Sequence, residues 1–252
     1  MAKLTFLGSA SALPDEQHEN THFVIKEGNR TILVDCAASA FVRLAKAGIS
    51  AMDIEDIILT HFHPDHVSGM PMLLMGMWLA GRMHKINLYG LAYTLERMKT
   101  MWDLFDWRTW PGFFDIDYHV VAEEELALVL SNDDIVVQSS PVKHFIPTLG
   151  LRIDLPHSQK VITYSCDTEP CLAVTRLAQG ADWLIHEAAG ASTGHSSAAQ
   201  AAEVARQAGA GGLCLVHYAA GNPDFLQSVE QARKIFAGEI ITAEDFSTLL
   251  VG

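Results

Sequence analysis

Four side chains that can bind a metal ion or move a proton lie within six residues in Thr60-His61-Phe62-His63-Pro64-Asp65-His66, directly after the apolar run DIILT. Leaving so many polar groups without partners at the end of a strand would be costly. In an extended segment residues i and i+2 face the same side, so His61 and His63 can share one ion. A tight turn at Pro64 would aim Asp65 and His66 at a second position. Two divalent ions about 3.5–4 Å apart form the standard arrangement for activating water against a polarised phosphorus or carbonyl centre.

The elements that must carry these residues alternate between short β-branched or apolar runs and helical stretches. LTFL, HFVI, TILVD and DIILT read as strands separated by turn signals. A helix over 39–47 follows TILVD and is closed by Gly48 in the left-handed position after its end. Further helices are predicted over 70–79 and 92–101. The second half continues the alternation with strands IVVQSS, LRIDL and VITYS, a helix over 172–178, and a buried strand WLIHEA. Ser196 or Ser197 then caps the helix AAQAAEVARQAG, which Gly209 ends, before the strand LCLVHY, a helix over 227–236 and a last strand EIITAED. Two strand-rich halves, each ending in helices, predict an α/β fold in which two sheets pack face to face with helices outside, an αββα sandwich. Residues 1–252 are expected to form one domain.

At 252 residues, with 49% hydrophobic and 19% charged residues, the chain can bury a large core and is neither disordered nor fibrous. No apolar stretch is long enough to cross a bilayer, and the opening MAKLTFLGSASALP lacks the apolar centre of a secretory signal. Four cysteines without CxxC pairing argue against a disulfide framework or a zinc knuckle and for a reduced, cytoplasmic setting. The net charge of −13 opposes extended nucleic-acid binding unless a basic groove exists locally.

The HxHxDH run after a strand resembles the signature of the metallo-β-lactamase superfamily, whose fold is the αββα sandwich. The resemblance implies three further ligands, and matching positions stand at strand ends: His144 in Val142-Lys143-His144, a bridging Asp167 in Tyr164-Ser165-Cys166-Asp167-Thr168, and His217 in Leu215-Val216-His217. Imidazole and carboxylate donors without thiolate suit two zinc ions, and manganese or iron also. Cys166 beside Asp167 reads as a packed thiol, because consecutive strand residues face opposite sides. More narrowly, YSCDTEPC, LIHEA, GHSSAAQAAEVA and LVHYA resemble the ribonuclease Z branch almost end to end, as do the opening LGSASALP, the helix GMPMLLMGMWLAGR, the strand KINLYG and the closing ITAED. That branch implies a homodimer, and a proton-transfer role near the leaving group for His195 and Glu187. His186 reads as a core residue, and His18, His22, His84, His119 and His157 have no partner motif.

The chain also departs from that branch. The branch carries a long tRNA-clamping arm between the third metal motif and the bridging aspartate. Here only PTLGLRIDLPHSQKVITYSC follows the His144 loop before Asp167, room for two strands and a turn. With the acidic balance, this points away from tRNA. The expected activity is dinuclear metal-dependent phosphodiester hydrolysis, of an RNA 3′ end or a small diester, with Asp65 orienting or deprotonating the water and His195 protonating the departing oxygen. Rival readings on the same metal core are a lactonase, thioesterase or arylsulfatase, and a metal-binding protein without catalysis. The aromatic run WDLFDWRTWPGFF over 102–114 reads as a lid, a dimer contact or core under a loop.

Overall fold

A computed structural model describes residues 2–251. In chain order the elements are β1 (Ala2–Gly8), β2 (His22–Glu27), β3 (Arg30–Val34), α1 (Ala40–Lys46), β4 (Asp56–Ile58), α2 (Pro64–Val67), α3 (Met70–Leu79), β5 (Ile86–Gly90), α4 (Ala92–Asp103) and β6 (Ile116–Val120). The second half adds β7 (Ala127–Ser131), β8 (Val136–Pro141), β9 (Leu149–Leu155), β10 (Lys160–Tyr164), α5 (Leu172–Leu177), β11 (Trp183–Ala188), α6 (Ala198–Ala208), β12 (Gly212–Tyr218), α7 (Phe225–Ile235), β13 (Glu239–Thr242) and β14 (Thr248–Val251).

These strands form two seven-stranded sheets, in the orders β14-β1-β2-β3-β4-β5-β6 and β13-β12-β11-β10-β9-β8-β7. Each sheet is mixed. The first is antiparallel through β3 and parallel from β3 to β6. The second is parallel from β10 to β13 and antiparallel from β10 to β7. Parallel strands are covered on both faces, and β4 and β12 are buried at every residue.

Apolar side chains fall into three layers. Phe6, Phe23, Ile25, Leu151, Ile153, Tyr164 and Val216 fill the space between the sheets. Leu33, Leu44, Ile57, Leu73, Met77 and Trp102 pack α1, α3 and α4 onto the outside of the first sheet. Val174, Ala201, Ala205, Leu213 and Ala232 do the same for α5, α6 and α7 on the second. The αββα layering expected from the strand and helix pattern is the observed one.

Helix ends follow the local chemistry. Ser197 caps α6 in a full capping box: its hydroxyl accepts from Gln200 N at 3.3 Å while Gln200 Oε1 accepts from Ser197 N at 2.8 Å. Gly209 closes the helix at φ 64°, a conformation that costs glycine little. The turn expected at Pro64 is instead a four-residue helix, α2, with proline in its first turn, where a missing N–H is harmless. Part of the aromatic run lies in the outer core. Trp102 is fully buried in α4, Trp107, Trp110 and Phe113 pack against it, and Trp110 stacks on Trp78 of α3 at 5.0 Å.

Candidate metal centre

In open α/β sheets, ligands gather beyond the carboxyl ends of parallel strands. Here β3, β4, β10, β11 and β12 all point their carboxyl ends at one place. Beyond β4 stand Thr60, His61 and His63, with Asp65 and His66 in α2. Asp167 follows β10, Glu187 lies near the end of β11, and His217 near the end of β12. His144 comes from the β8–β9 loop. The structure brings all seven expected ligand side chains together in two groups that share Asp167: His61, His63, His144 and Asp167, and Asp65, His66, Asp167 and His217. Within each group the candidate ligand atoms lie within 4.8 Å of one another.

The arrangement suits cations. His61 Nε2 and His144 Nε2 each sit 3.1 Å from His63 Nδ1. The opposite nitrogens are already committed: His144 Nδ1 donates to Gly194 O at 2.8 Å, and His66 Nδ1 donates to Asp35 Oδ2 at 2.8 Å. Their Nε2 atoms therefore face Asp167, at 3.9 Å for His144 and 3.5 Å for His66. His66 Nε2 and Asp167 Oδ1 are buried without a hydrogen-bond partner, 3.5 Å apart. Such a set fits divalent ions and leaves unsatisfied buried groups otherwise.

Charge points the same way. Burial disfavours the Asp167 carboxylate, but His217, His66 and His61 outweigh it and hold its pKa well below the ordinary value. Burial likewise disfavours the His66 imidazolium, yet Asp167 and Asp35 raise its pKa well above normal. Burial lowers His61 far below its usual range, and His217 to about 4. Where no cation is bound, Asp167 and Asp35 hold a proton on His66 while burial keeps His61 and His217 neutral; a bound cation would take the place of that proton, since an imidazole ligand must be neutral.

Backbone strain is concentrated here. Asp35, Cys166 and His217 are three of the seven non-glycine residues with positive φ among those described. The register of β11 against β12 runs Glu187↔Val216 and then Ala188↔Tyr218, so His217 is the extra residue of a bulge at φ 53°. That bulge re-aims the His217 side chain toward Asp167, whose Oδ2 lies 3.3 Å from Nε2. Cys166 packs against the cluster: its Sγ lies 3.1 Å from Thr60 Oγ1 and 3.5 Å from His61 Nδ1, it forms a third close group with His61 and His66, and burial pushes its pKa well up.

His195 and Glu187 stand beside this centre. His195 Nδ1 donates to Glu187 Oε1 at 3.1 Å, and its ring stacks on His217 at 5.8 Å. That bond raises the pKa of His195. Glu187 is buried and receives backbone N–H groups from Thr168, Ala189 and Ser196 at 3.1, 2.8 and 2.9 Å. Burial pushes its carboxyl up to about 7 against the pull of His195 and Ala189. His186 faces the other way, buried, with Nδ1 on Glu187 O. Above the cluster lies a cavity of about 410 Å³, bordered by Ser11, Leu13, His63, Asp65, His195 and His217.

Comparison with known proteins bears directly on this geometry. The model of a family described as Anti-Pycsar protein Apyc1 matches residues 2–240. The chain belongs to that family. It is 28% identical to ribonuclease Z of Methanothermobacter thermautotrophicus over 97% of this chain and 97% of the relative. Among solved structures, the metallo-β-lactamase fold protein YhfI of Bacillus subtilis superposes with a TM-score of 0.83 at 22% identity, covering 98% of both chains. The short form of human tRNase Z gives 0.80 at 23%, covering 99% of both. This Apyc1-family chain is a metal-dependent hydrolase with the metallo-β-lactamase fold and a ribonuclease Z-like sequence. Those likenesses, with the His/Asp clusters, support a metal-dependent phosphodiesterase.

Two features of the site were not read from the sequence. Asp35 accepts from Thr60 N at 2.9 Å, from the Thr60 hydroxyl and from His66, fixing the segment that carries the HxHxDH run. Its only local signal is an acid at the end of TILVD, which equally reads as a turn. The cavity wall at Ser11–Leu13 rides on β12 through His217 N to Ser9 O at 2.8 Å and Ser11 N to Tyr218 O at 2.9 Å. The aromatic run does not border the cavity.

Proposed function

We propose that the protein hydrolyses small phosphodiesters with two divalent ions, one held by His61, His63, His144 and Asp167 and the other by Asp65, His66, Asp167 and His217. The observation that carries this reading is the sharing of Asp167 between two groups of converging lone pairs. When bound, the ions neutralise charge on the phosphoryl oxygens and lower the pKa of water. The donor set, nitrogen and oxygen without sulfur, favours zinc.

Water adds across one P–O ester bond, giving a phosphomonoester and an alcohol. Asp65, on the cavity wall, accepts a proton of the attacking water. Glu187 occupies His195 Nδ1 and keeps its ring in one orientation, so Nε2 is the nitrogen left to give a proton to the departing oxygen. The pKa raised by that contact keeps the acid form present near neutrality.

Two features favour a small diester over tRNA: a net charge of −13, and the presence of only β9 and β10 between the His144 loop and Asp167. A reduced cytoplasmic setting accords with four free cysteines, and no described helix is long and apolar enough to cross a membrane. Met72 and Leu79 of α3 and Met83 just after it are exposed, apolar surface of the kind a homodimer would cover; light scattering measures it. The central test assays bis(p-nitrophenyl) phosphate with zinc or manganese. Asp167→Ala should abolish turnover and reduce bound metal below two per chain, and undiminished turnover would overturn the reading.

A further inference from the structure

We infer that Phe145 selects the group on the departing side of the substrate, by stacking on a planar aromatic ring there. The inference rests on the phosphodiester reading and deepens it. Phe145 follows His144 directly and is 60% exposed, although it is a large apolar side chain beside a polar site. A ring packed on both faces could not be so open, so at least one face is available. Its centroid is 4.9 Å from His144 and 6.1 Å from His195, both edge-on. His195 borders the cavity; Phe145 is not among the residues that line it but stands beside His195. A departing group large enough to reach past His195 would come within range of this ring.

The platform is also held in place. Gly194 has φ +78°, and a Cβ there would fall 2.6 Å from Phe145 Cε2 and 3.0 Å from His144 Nδ1. The same glycine accepts the His144 Nδ1 hydrogen bond. A glycine backbone thus leaves room for the ring and ties it to the metal-side histidine. A fixed aromatic surface loses little freedom on binding, and any base or aryl ring has a face to offer it. A sugar or alkyl group lacks a planar face to stack on that ring.

The test uses two diesters that share one phosphoryl half and differ only in whether the departing alcohol is a nucleoside or the same sugar without its base. Phe145→Ala should raise KM for the nucleoside diester about tenfold, within the range for loss of one base–aromatic stack, with kcat within twofold. KM for the base-free diester should stay within twofold. Phe145→Tyr should restore the wild-type KM and Phe145→Leu should not, since leucine keeps the apolar area without the ring face. A parallel rise for bis(p-nitrophenyl) phosphate marks any planar ring as the recognised chemistry, whereas an unchanged value narrows it to a nucleobase. Equal changes on both nucleotide diesters, or rescue by leucine, would overturn the role of Phe145 while leaving the diesterase intact. Failure of the metal-loaded wild type to hydrolyse either diester would remove the diesterase reading, and this inference with it.

Discussion

Replacing Asp35 by asparagine tests how the site is aimed rather than what it binds. The carboxylate is 1% exposed and works only as an acceptor: Thr60 N–H reaches Oδ1 at 2.9 Å, His66 Nδ1–H reaches Oδ2 at 2.8 Å, and the Thr60 hydroxyl bridges both oxygens. An amide of the same shape must place its NH₂ on one of those sides, against a donor. A backbone N–H cannot withdraw its proton. An imidazole can, by moving it from Nδ1 to Nε2. Relaxation therefore falls on His66 and removes the Nε2 lone pair from the Asp65–Asp167–His217 group. A buried donor left without an acceptor costs about 1–3 kcal/mol, which corresponds to a roughly 5- to 150-fold loss of affinity. That brackets the 10–100-fold effect usual for residues that orient a metal ligand from behind. Asp35→Asn should thus bind its second zinc about 10–100-fold more weakly, with the first nearly unaffected, in a competitive chelator titration checked by elemental analysis. Near-UV circular dichroism should remain that of the wild type. Two ions bound with unchanged affinity, or the His61–His63–His144 ion lost first, would refute the reasoning.

Other outcomes follow from the same contacts. His195→Ala should lower kcat by about 10²–10⁴-fold on diesters with alcohol leaving groups and far less on nitrophenyl esters, whose leaving group needs no proton. Because the acid form of His195 is the competent one, activity should fall as pH rises through its raised pKa. Glu187→Gln removes the first cause of that rise, so the falling limb of kcat against pH should move to lower pH; an unmoved limb would exclude the pair. Trp102→Ala, at a fully buried site, should cost about 3–5 kcal/mol in urea unfolding. Ser197→Ala breaks the capping box of α6 and should cost about 1 kcal/mol, lowering Tm by roughly 2–4 °C.

The contrast between what could and could not be read locally has a physical basis. The HxHxDH run is legible because its residues are adjacent and a strand end fixes which of them share a side. His144, Asp167 and His217 carry no such signature singly. Each is a single ligand-type residue near the end of a strand, and only the resemblance draws attention to them. Their convergence depends on sheet register, and for His217 on a bulge in which histidine takes a conformation normally left to glycine. The strands behave likewise. β6, β7 and β14, none of them anticipated, are three of the four edge strands, and the fourth, β13, ends at Thr242 rather than running on through Asp245. An edge strand pairs on one side only and is half-buried, so its hydrophobic alternation is weak and a distant neighbour decides its conformation. β14 exists as a strand because Ala2–Thr5 pairs with it from the other end of the chain. The same dependence explains Asp35. An acid after a strand reads as an ordinary turn until β3 and β4 lie side by side, when its carboxylate meets both Thr60 and His66. Local chemistry therefore announces the ligands that bind one ion pair-wise, while long-range register supplies the groups that hold those ligands in aim.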